Sequence, residues 1–258
     1  RTATLVEAHL SSPFYVSPAK DLEEGTNVGA AIERKFYEPN SAEWLQERFD
    51  SVGGSDVGAL AKMDFAPSKK VPDWSKVVPK GPAGIERTKL AMPTQEEIDK
   101  NQELSLTSRR GALYRGTVWE DRLRDKFVSD HENFTVYNAK GQYFNPERPW
   151  QQVNFDGVIS DRKDGKPNGI LEIKTATHHK DWENGPPLNY RAQTLYYLNS
   201  TGFDYAYVMA SFNDGERKYF KLHRDDPVAP GKYEGTMEEY ITLRVEPWFE
   251  GLRKRREG

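Results

Sequence analysis

The chain has 258 residues, of which 36% are hydrophobic and 30% charged, and its formal net charge is −3. It contains no cysteine, which excludes disulfides, thiolate zinc sites and iron–sulfur clusters and fits a reducing cytoplasm. The 6 Trp, 13 Tyr and 12 Phe argue against a disordered chain, and no apolar run approaches the ~20 residues of a membrane span. We therefore expect one folded domain over residues 1–258, located in the cytoplasm.

Residues 1–40 show weak periodicity and are predicted to form a peripheral segment; they lack the apolar stretch of a signal peptide. A helical pattern begins at Ser41, which can cap the helix. A Gly53–Gly54 turn then leads to a second short helix, for which Ser55 or Asp56 is the expected cap.

Residues 64–94 are rich in proline and lysine and show little periodicity, which predicts an insertion loop. Residues 107–128 are predicted to form the longest helix, because apolar side chains recur there at helical intervals. Strands are predicted at 134–137, 151–160, 169–175, 205–212 and 218–222, with a hairpin turn over 161–168 and further helices at 187–199 and 236–255. This order predicts an α/β core whose mixed central sheet is flanked by helices.

Two neighbouring predicted strands carry a charged cluster. Side chains alternate along a strand, so Glu172 and Lys174 point to one face, while Leu171 and Ile173 point into apolar packing on the other. Asp156 is expected on the adjacent strand across the hairpin. Two carboxylates that converge beside an ammonium group form a hard-oxygen metal site with a positive charge next to it.

This arrangement suits phosphodiester hydrolysis. Two divalent ions held by carboxylates would generate the nucleophile and neutralise charge on the phosphate, and oxygen ligands favour Mg²⁺ with Mn²⁺ as a substitute. Lys174 would hold or deprotonate the attacking water. Taken alone, however, Glu-x-Lys on a strand is more often a solvated edge with an incidental ion pair.

The combination of motifs narrows the interpretation. Asp156-Gly157, followed across a hairpin by Leu171-Glu172-Ile173-Lys174, resembles the PD-(D/E)xK nuclease signature, with Phe155 where that motif usually has Pro. From about Trp44 to Tyr197 the chain also resembles the lambda-type phage exonucleases, the YqaJ viral recombinase family. The further motifs that carry this resemblance are Trp44-x3-Arg48, Gly53-Gly54-Ser55-Asp56, Arg115-Gly116-x3-Glu120, Trp182, Gly185-Pro186-Pro187 and Tyr190-x2-Gln193.

The resemblance implies a PD-(D/E)xK restriction-endonuclease-like fold and a set of site residues. It implies that metal is held by Glu120, Asp156, Glu172 and the backbone carbonyl of Ile173, and that Gln193 joins these acids and Lys174 in the catalytic set. For Glu120, an exposed helix glutamate beside Arg124 is the alternative.

Four further residues are assigned to DNA by resemblance. Arg48 and Ser55 would bind the terminal 5′-phosphate, with help from backbone N–H groups at the start of the second helix. Arg115 would contact a backbone phosphate or lie in solvent, and Tyr190 would stack on bases or belong to the core. His178 and His179 are left out of the metal site, because adjacent loop histidines do not converge on one ion.

The family implies a processive 5′-to-3′ exonuclease on linear double-stranded DNA that leaves 3′ overhangs for a single-strand annealing protein. It further implies a ring-like homotrimer and a phage or prophage origin in a bacterial host. Two alternatives stay open. An endonuclease on the same core should carry a recognition domain, for which the chain leaves little room, and a non-catalytic DNA-end-binding protein would usually have lost a ligand or the lysine.

Overall fold

The computed structural model describes residues 19–23, 25–29, 33–35, 41–76, 79–92, 94, 96, 112–139 and 141–257, with side chains described outside 33–35 and 112–119. In this part of the chain the helices are α1 (Ala42–Asp50), α2 (Gly54–Asp64), α3 (Ala83–Leu90), α4 (Ala112–Asp130), α5 (Leu188–Thr201), α6 (Met237–Tyr240) and α7 (Glu246–Glu257). No helix among these residues is both long and apolar enough to cross a membrane.

The strands of the described chain are β1 (Lys20–Asp21), β2 (Glu33–Lys35), β3 (Thr135–Asn138), β4 (Gln142–Asn145), β5 (Arg148–Val153), β6 (Gly157–Ser160), β7 (Gly169–Ala176), β8 (Tyr205–Phe212) and β9 (Arg217–His223). A six-stranded sheet has the order β1-β3-β6-β7-β8-β9, and β2-β4-β5 form a second sheet. In the larger sheet β1–β3 and β7–β8 pair in parallel and the other neighbours are antiparallel. The predicted mixed sheet flanked by helices is confirmed.

The two faces of β7 meet different helices, as the predicted alternation requires. Leu171 and Ile173 lie in an apolar cluster with Phe127 of α4. Ile170 belongs to the other cluster, which also contains Leu195 of α5. The parallel crossover through α5 therefore places Glu172 and Lys174 beneath that helix.

The predicted strand 151–160 is wrong, because the segment forms two strands in different sheets. β5 ends at Val153 and β6 begins at Gly157, with a bend between them. At the bend the Asp156 side chain accepts a hydrogen bond from the Ile173 backbone N–H, and its carbonyl accepts one from Arg124. Asp156 therefore precedes a strand and does not lie within one.

The 64–94 segment is not wholly irregular, since it contains α3. Tertiary contacts hold this helix although its sequence has little helical periodicity. Glu86 accepts hydrogen bonds from the Gly81 backbone and from Trp248 of α7, and Lys89 is buried against the loop between α1 and α2. In the described part of residues 1–40, β1 and β2 form edge strands of the two sheets.

Several helix ends differ from the sequence-based prediction. Ser41 caps α1 as expected, through a 3.1 Å hydrogen bond from the Trp44 N–H. The cap of α2 is Gly53, so Ser55 lies within its first turn. The predicted helix 187–199 is α5, and the predicted helix 236–255 begins after the cap Thr236 and contains a π-helical stretch, Ile241–Val245. Residues 107–111 of the predicted long helix lie outside the described residues.

Candidate active site

Asp156 is held at the edge of β7 by backbone contacts. One carboxylate oxygen, Oδ2, accepts a 2.6 Å hydrogen bond from the Ile173 N–H. The backbone carbonyl of Asp156 accepts a 2.7 Å hydrogen bond from Nε of Arg124, whose side chain is 3% exposed. These bonds tie the bend before β6 both to β7 and to α4.

Glu172 is the buried centre of the cluster. Its side chain forms an ion pair with Lys174, and Oε1 also accepts a 2.8 Å hydrogen bond from Gln193 of α5. Oε2 is buried and has no hydrogen-bond partner among the residues that the structure describes. Burial raises the pKa of Glu172 to about 8, and the negative charge of Asp156 acts in the same direction. A buried carboxylate oxygen without a partner is costly unless something positive meets it.

Lys174 is positioned by its neighbours on two sides. Nζ pairs with Glu172 and lies 5.1 Å from the ring centroid of Tyr190. Burial alone would lower the pKa of Lys174, but the charges of Glu172 and Asp156 outweigh burial and raise it. A lysine with a raised pKa is positively charged at neutral pH, so Lys174 can hold the attacking water or a phosphoryl oxygen by its charge.

Glu120 approaches the same cluster from α4. Its carboxylate accepts a 2.9 Å hydrogen bond from Arg124 and is 37% exposed. Burial, together with the negative charge of Asp156, raises the pKa of Glu120 to about 7. The pairing of Glu120 with Arg124, which the sequence analysis gave as the alternative, is therefore present. The charge of Asp156 nevertheless also acts on the Glu120 carboxylate.

The donor set fits a hard divalent cation. The charge of Asp156 raises the pKa of Glu120 and of Glu172, and within the described part of the chain one buried oxygen of Glu172 has no hydrogen-bond partner. A cation between them would relieve both features. The three do not form a cluster whose donor atoms all lie within 4.8 Å of one another, so they would draw closer on binding an ion or divide between two.

His179 occupies a separate acidic cluster on the described surface. Its Nε2 lies 2.7 Å from Asp214 and its Nδ1 lies 3.6 Å from Glu216. The imidazole also stacks on Phe212 at 3.8 Å between centroids. His178 does not belong to this group, and a hydrogen bond to Asp214 together with the stacking on Phe212 accounts for the position of His179.

Helix α5 delivers a polar pair to the cluster. Nε2 of Gln193 donates hydrogen bonds to Glu172 and to the hydroxyl of Tyr197, the latter at 2.9 Å. Gly54 of α2 packs on both side chains; a Cβ there would lie 2.9 Å from Cγ of Gln193 and closer still to the ring of Tyr197. The first turn of α2 is therefore brought to the rim of the cluster.

The residues predicted to bind the 5′-phosphate lie around this turn. Arg48 is half-buried, with its guanidinium carbon 4.8 Å from the ring centroid of Trp44. Its positive charge reaches the buried hydroxyl of Tyr197, whose pKa is raised by burial and lowered again by Arg48. Ser55 is exposed in the first turn of α2. The side chain of Arg115 lies outside the described residues.

Tyr190 forms part of the wall of the site. Its ring stacks on the buried Trp182 at 5.6 Å between centroids, and Lys174 lies over it. Trp182 in turn stacks on Phe220. This packing favours the core alternative for Tyr190, although its half-buried ring still adjoins the charged cluster.

The structure brings Tyr197 and Arg124 to the site, and neither is among the site residues predicted from the sequence. Tyr197 could have been found from its spacing, because Gln193 and a residue four positions later share a helix face. Arg124 appeared only as a partner of Glu120, and its contact with the Asp156 carbonyl has no local sequence signal. It depends on how α4 lies across the bend before β6.

Known proteins resemble this chain in sequence family and in fold. Residues 43–204 match the family described as the YqaJ-like viral recombinase domain. An alkaline exonuclease from Laribacter hongkongensis, LHK-Exo, is 16% identical with a TM-score of 0.51, over 84% of this chain and 93% of that one. Its complex with dAMP gives a TM-score of 0.50 at 16% identity, over 84% and 95%. No curated protein matches the chain. At this identity the likeness shows a shared fold, the PD-(D/E)xK-like fold predicted from the motifs.

Proposed function

We propose that this chain, which belongs to the YqaJ-like viral recombinase family, is a metal-dependent 5′-to-3′ exonuclease acting on linear double-stranded DNA. Family and fold together indicate a nuclease of the phage exonuclease type. One observation carries the proposal furthest. Glu172 is buried with one oxygen unpartnered, beside Asp156 and the cationic Lys174. Burying these charged groups would destabilise the protein if they served only to fill its core. Their burial is explained if the site binds a cation and a phosphate.

We propose that the site holds two Mg²⁺ ions, which Mn²⁺ can replace. The metal ligands would be Glu120, Asp156, Glu172 and the backbone carbonyl of Ile173. When bound, such ions supply a hydroxide nucleophile and neutralise charge on the phosphate. The absence of thiolate ligands and the oxygen-only donor set favour these hard cations.

The protein's own groups would orient and stabilise the reacting atoms. The ammonium group of Lys174, held between Glu172 and the face of Tyr190, is placed to donate a hydrogen bond to the attacking water or to a phosphoryl oxygen. Because Lys174 stays protonated, its contribution is electrostatic. Gln193 keeps Oε1 of Glu172 fixed, so that Oε2 stays directed at the site.

The 5′-end selectivity would come from the segment between α1 and α2. Donors for a terminal phosphate would be the guanidinium of Arg48, the hydroxyl of Ser55 and backbone N–H groups at the start of α2. Gly54 lets this turn approach the Gln193–Tyr197 pair closely. Arg115 and Tyr190 are proposed to contact the DNA strand further along.

Degradation of one strand from its 5′ end would leave a 3′ overhang. We propose that a single-strand annealing protein takes up this product, in recombination of phage or prophage DNA. A ring-shaped homotrimer would explain how a chain with a net charge of −3 stays on its substrate, because only the inner surface of a ring needs to be basic.

The test is digestion of linear duplex DNA that carries a 5′-phosphate and a label on either strand, next to a closed circle, with Mg²⁺ or EDTA. Mg²⁺-dependent loss from the 5′ end, with the circle spared, is the expected result. Cleavage of the circle would replace the proposal with an endonuclease on the same core. Binding to ends without cleavage under Mg²⁺ or Mn²⁺ would indicate a non-catalytic end-binding protein.

A further inference from the structure

Lys89 is a buried cation outside the metal cluster. It lies on α3, within the 64–94 segment, and its side chain is 6% exposed. Its Nζ donates to the backbone carbonyls of Arg48 and Ser51, the second at 2.6 Å, and forms a 3.1 Å ion pair with Asp56. An ammonium group has three protons, and three oxygens receive them.

These three oxygens belong to one short stretch of chain. Arg48 lies in the last turn of α1, Ser51 follows α1, and Asp56 lies in the first turn of α2. Oδ2 of Asp56 also accepts a 3.0 Å hydrogen bond from the Gly53 N–H. Lys89 therefore connects both ends of the segment that carries Arg48 and Ser55.

The charge of Lys89 matters as well as its hydrogen bonds. A carboxylate in the first turn of α2 would repel a phosphate bound at that turn. The ion pair with Lys89 compensates the charge of Asp56 without using Arg48. Burial lowers the pKa of Lys89, the charge of Asp56 opposes this shift, and the positive charges of Arg48 and Arg256 add to it.

The helix that carries Lys89 is fixed in its turn. Arg256 of α7 donates a 2.5 Å hydrogen bond to the Lys89 carbonyl and a 2.6 Å hydrogen bond to the carbonyl of Phe49 in α1. The guanidinium of Arg256 also lies 3.7 Å from the ring centroid of Phe49. A movement of α3 is thereby transmitted to the end of α1.

We propose that Lys89 is a positioning residue that holds the segment from Arg48 to Asp56 in the conformation that binds a 5′-phosphate. This inference rests on the proposed 5′-phosphate site. It also gives a role to the 64–94 segment, which contains none of the site residues predicted from the sequence. Lys89 itself need not touch the DNA.

The experiment compares kcat/KM on two blunt duplexes of one sequence, with a 5′-phosphate or a 5′-hydroxyl. Lys89→Met should lower the preference for the phosphorylated end by about tenfold to hundredfold, mainly through KM, because small displacements of binding groups have effects of this order. Lys76→Met is the matched control, since Lys76 lies in the same segment, is 79% exposed and pairs with Asp73. Arg48→Ala serves as the reference variant, in which the preference for the phosphorylated end should be lost completely.

The outcomes separate the two ideas. Equal loss on both ends, or an unchanged preference in a folded Lys89→Met variant, overturns the role of Lys89 while Arg48→Ala still removes the preference. A wild-type protein without any preference overturns the phosphate site and, with it, the role of Lys89. If Lys89→Met does not fold, Lys89→Gln is measured in the same way, because its amide keeps one or two of the hydrogen bonds but not the charge.

Discussion

Arg124 donates a 2.7 Å hydrogen bond from Nε to the backbone carbonyl of Asp156. The same buried guanidinium donates to Glu120 at 2.9 Å and to Asp121 at 2.7 Å. Arg124 thus fixes the bend that carries Asp156, and it also fixes the side-chain conformation of Glu120. The relative placement of Glu120 and Asp156 therefore depends on Arg124, although Arg124 contributes no oxygen ligand.

We expect Arg124→Met to raise the Mg²⁺ concentration needed for half-maximal cleavage about 10- to 100-fold, the usual effect of losing a group that orients metal ligands. Stability should fall as well, by roughly 1–3 kcal/mol, because the Asp156 carbonyl loses its charged donor. Mg²⁺ titration of activity and thermal melting measure the two effects. Lys126→Met, on the same helix and paired with Asp130, should change neither. An unaltered Mg²⁺ requirement would show that Asp156 is held without Arg124.

Lys174→Met should abolish cleavage while end binding stays within a few-fold of wild type. Loss of one such charged donor costs about 10²–10⁴ in rate. Single-turnover cleavage and fluorescence anisotropy with labelled duplex measure these quantities. The exposed Lys180→Met in the following turn is the control. Turnover close to wild type in Lys174→Met would remove this lysine from the mechanism.

Mg²⁺ should stabilise the folded protein, because it meets the buried and unpartnered oxygen of Glu172. At about 100 times the dissociation constant the gain is about 2.7 kcal/mol. In Glu172→Gln the gain should vanish, and the metal-free variant should melt above metal-free wild type, since a carboxylate with a pKa of about 8 is replaced by a neutral amide. Melting curves with Mg²⁺ and with EDTA decide this. An equal Mg²⁺ effect in both proteins would place the ion elsewhere.

Gly54→Ala should separate α2 from α5, because the added Cβ would overlap the ring of Tyr197 and crowd Gln193. Overpacking of this kind costs about 1–3 kcal/mol, more than the gain in helix propensity. We expect a lower melting temperature together with reduced kcat. Gly84→Ala in α3 is the matched control, since a Cβ there meets nothing within 4 Å. Equal melting temperatures for the two variants would contradict the close approach.

Glu238 should contribute stability only above acidic pH. Its hydrogen bonds to Arg148 lower the pKa of Glu238 from 4.5 to about 2. A group whose pKa is lowered by folding stabilises the protein above its unfolded value, near 4.5, and loses this contribution as the pH falls toward 2. The side chain is 53% exposed, so the effect is about 0.5–1 kcal/mol.

Thermal melts of Glu238→Gln at pH 7 and pH 3 test this contribution. The variant should melt below wild type at pH 7, and the difference should shrink at pH 3, because pH 3 lies below the unfolded-state pKa of Glu238 and protonation then favours the unfolded chain. Glu250→Gln, an exposed position on α7, should match wild type at both pH values. A difference that persists unchanged at pH 3 would show that the charge of Glu238 is not its cause.

The hairpin that carries Glu172 and Lys174 could be predicted from the sequence because its signals are local. Alternation of side chains assigns Leu171 and Ile173 to the apolar face, and the turn over 161–168 enforces the antiparallel pairing of β6 and β7. The cap at Ser41 and the residue types of an oxygen-only metal site are equally local. None of these features depends on distant parts of the chain.

Other features follow from contacts between residues far apart in sequence, which leave no periodic signal. The bend at Asp156 exists because Ile173 and Arg124 bind its side chain and carbonyl, and this splits what looks like one strand into β5 and β6. Lys89 is buried by α1 and α2, 38 residues from the Ser51 carbonyl that it binds. The sequence by itself determined which chemical groups the site contains, whereas only the tertiary structure decided which buried charges meet, because the cost of burying a charge depends on partners that distant segments supply.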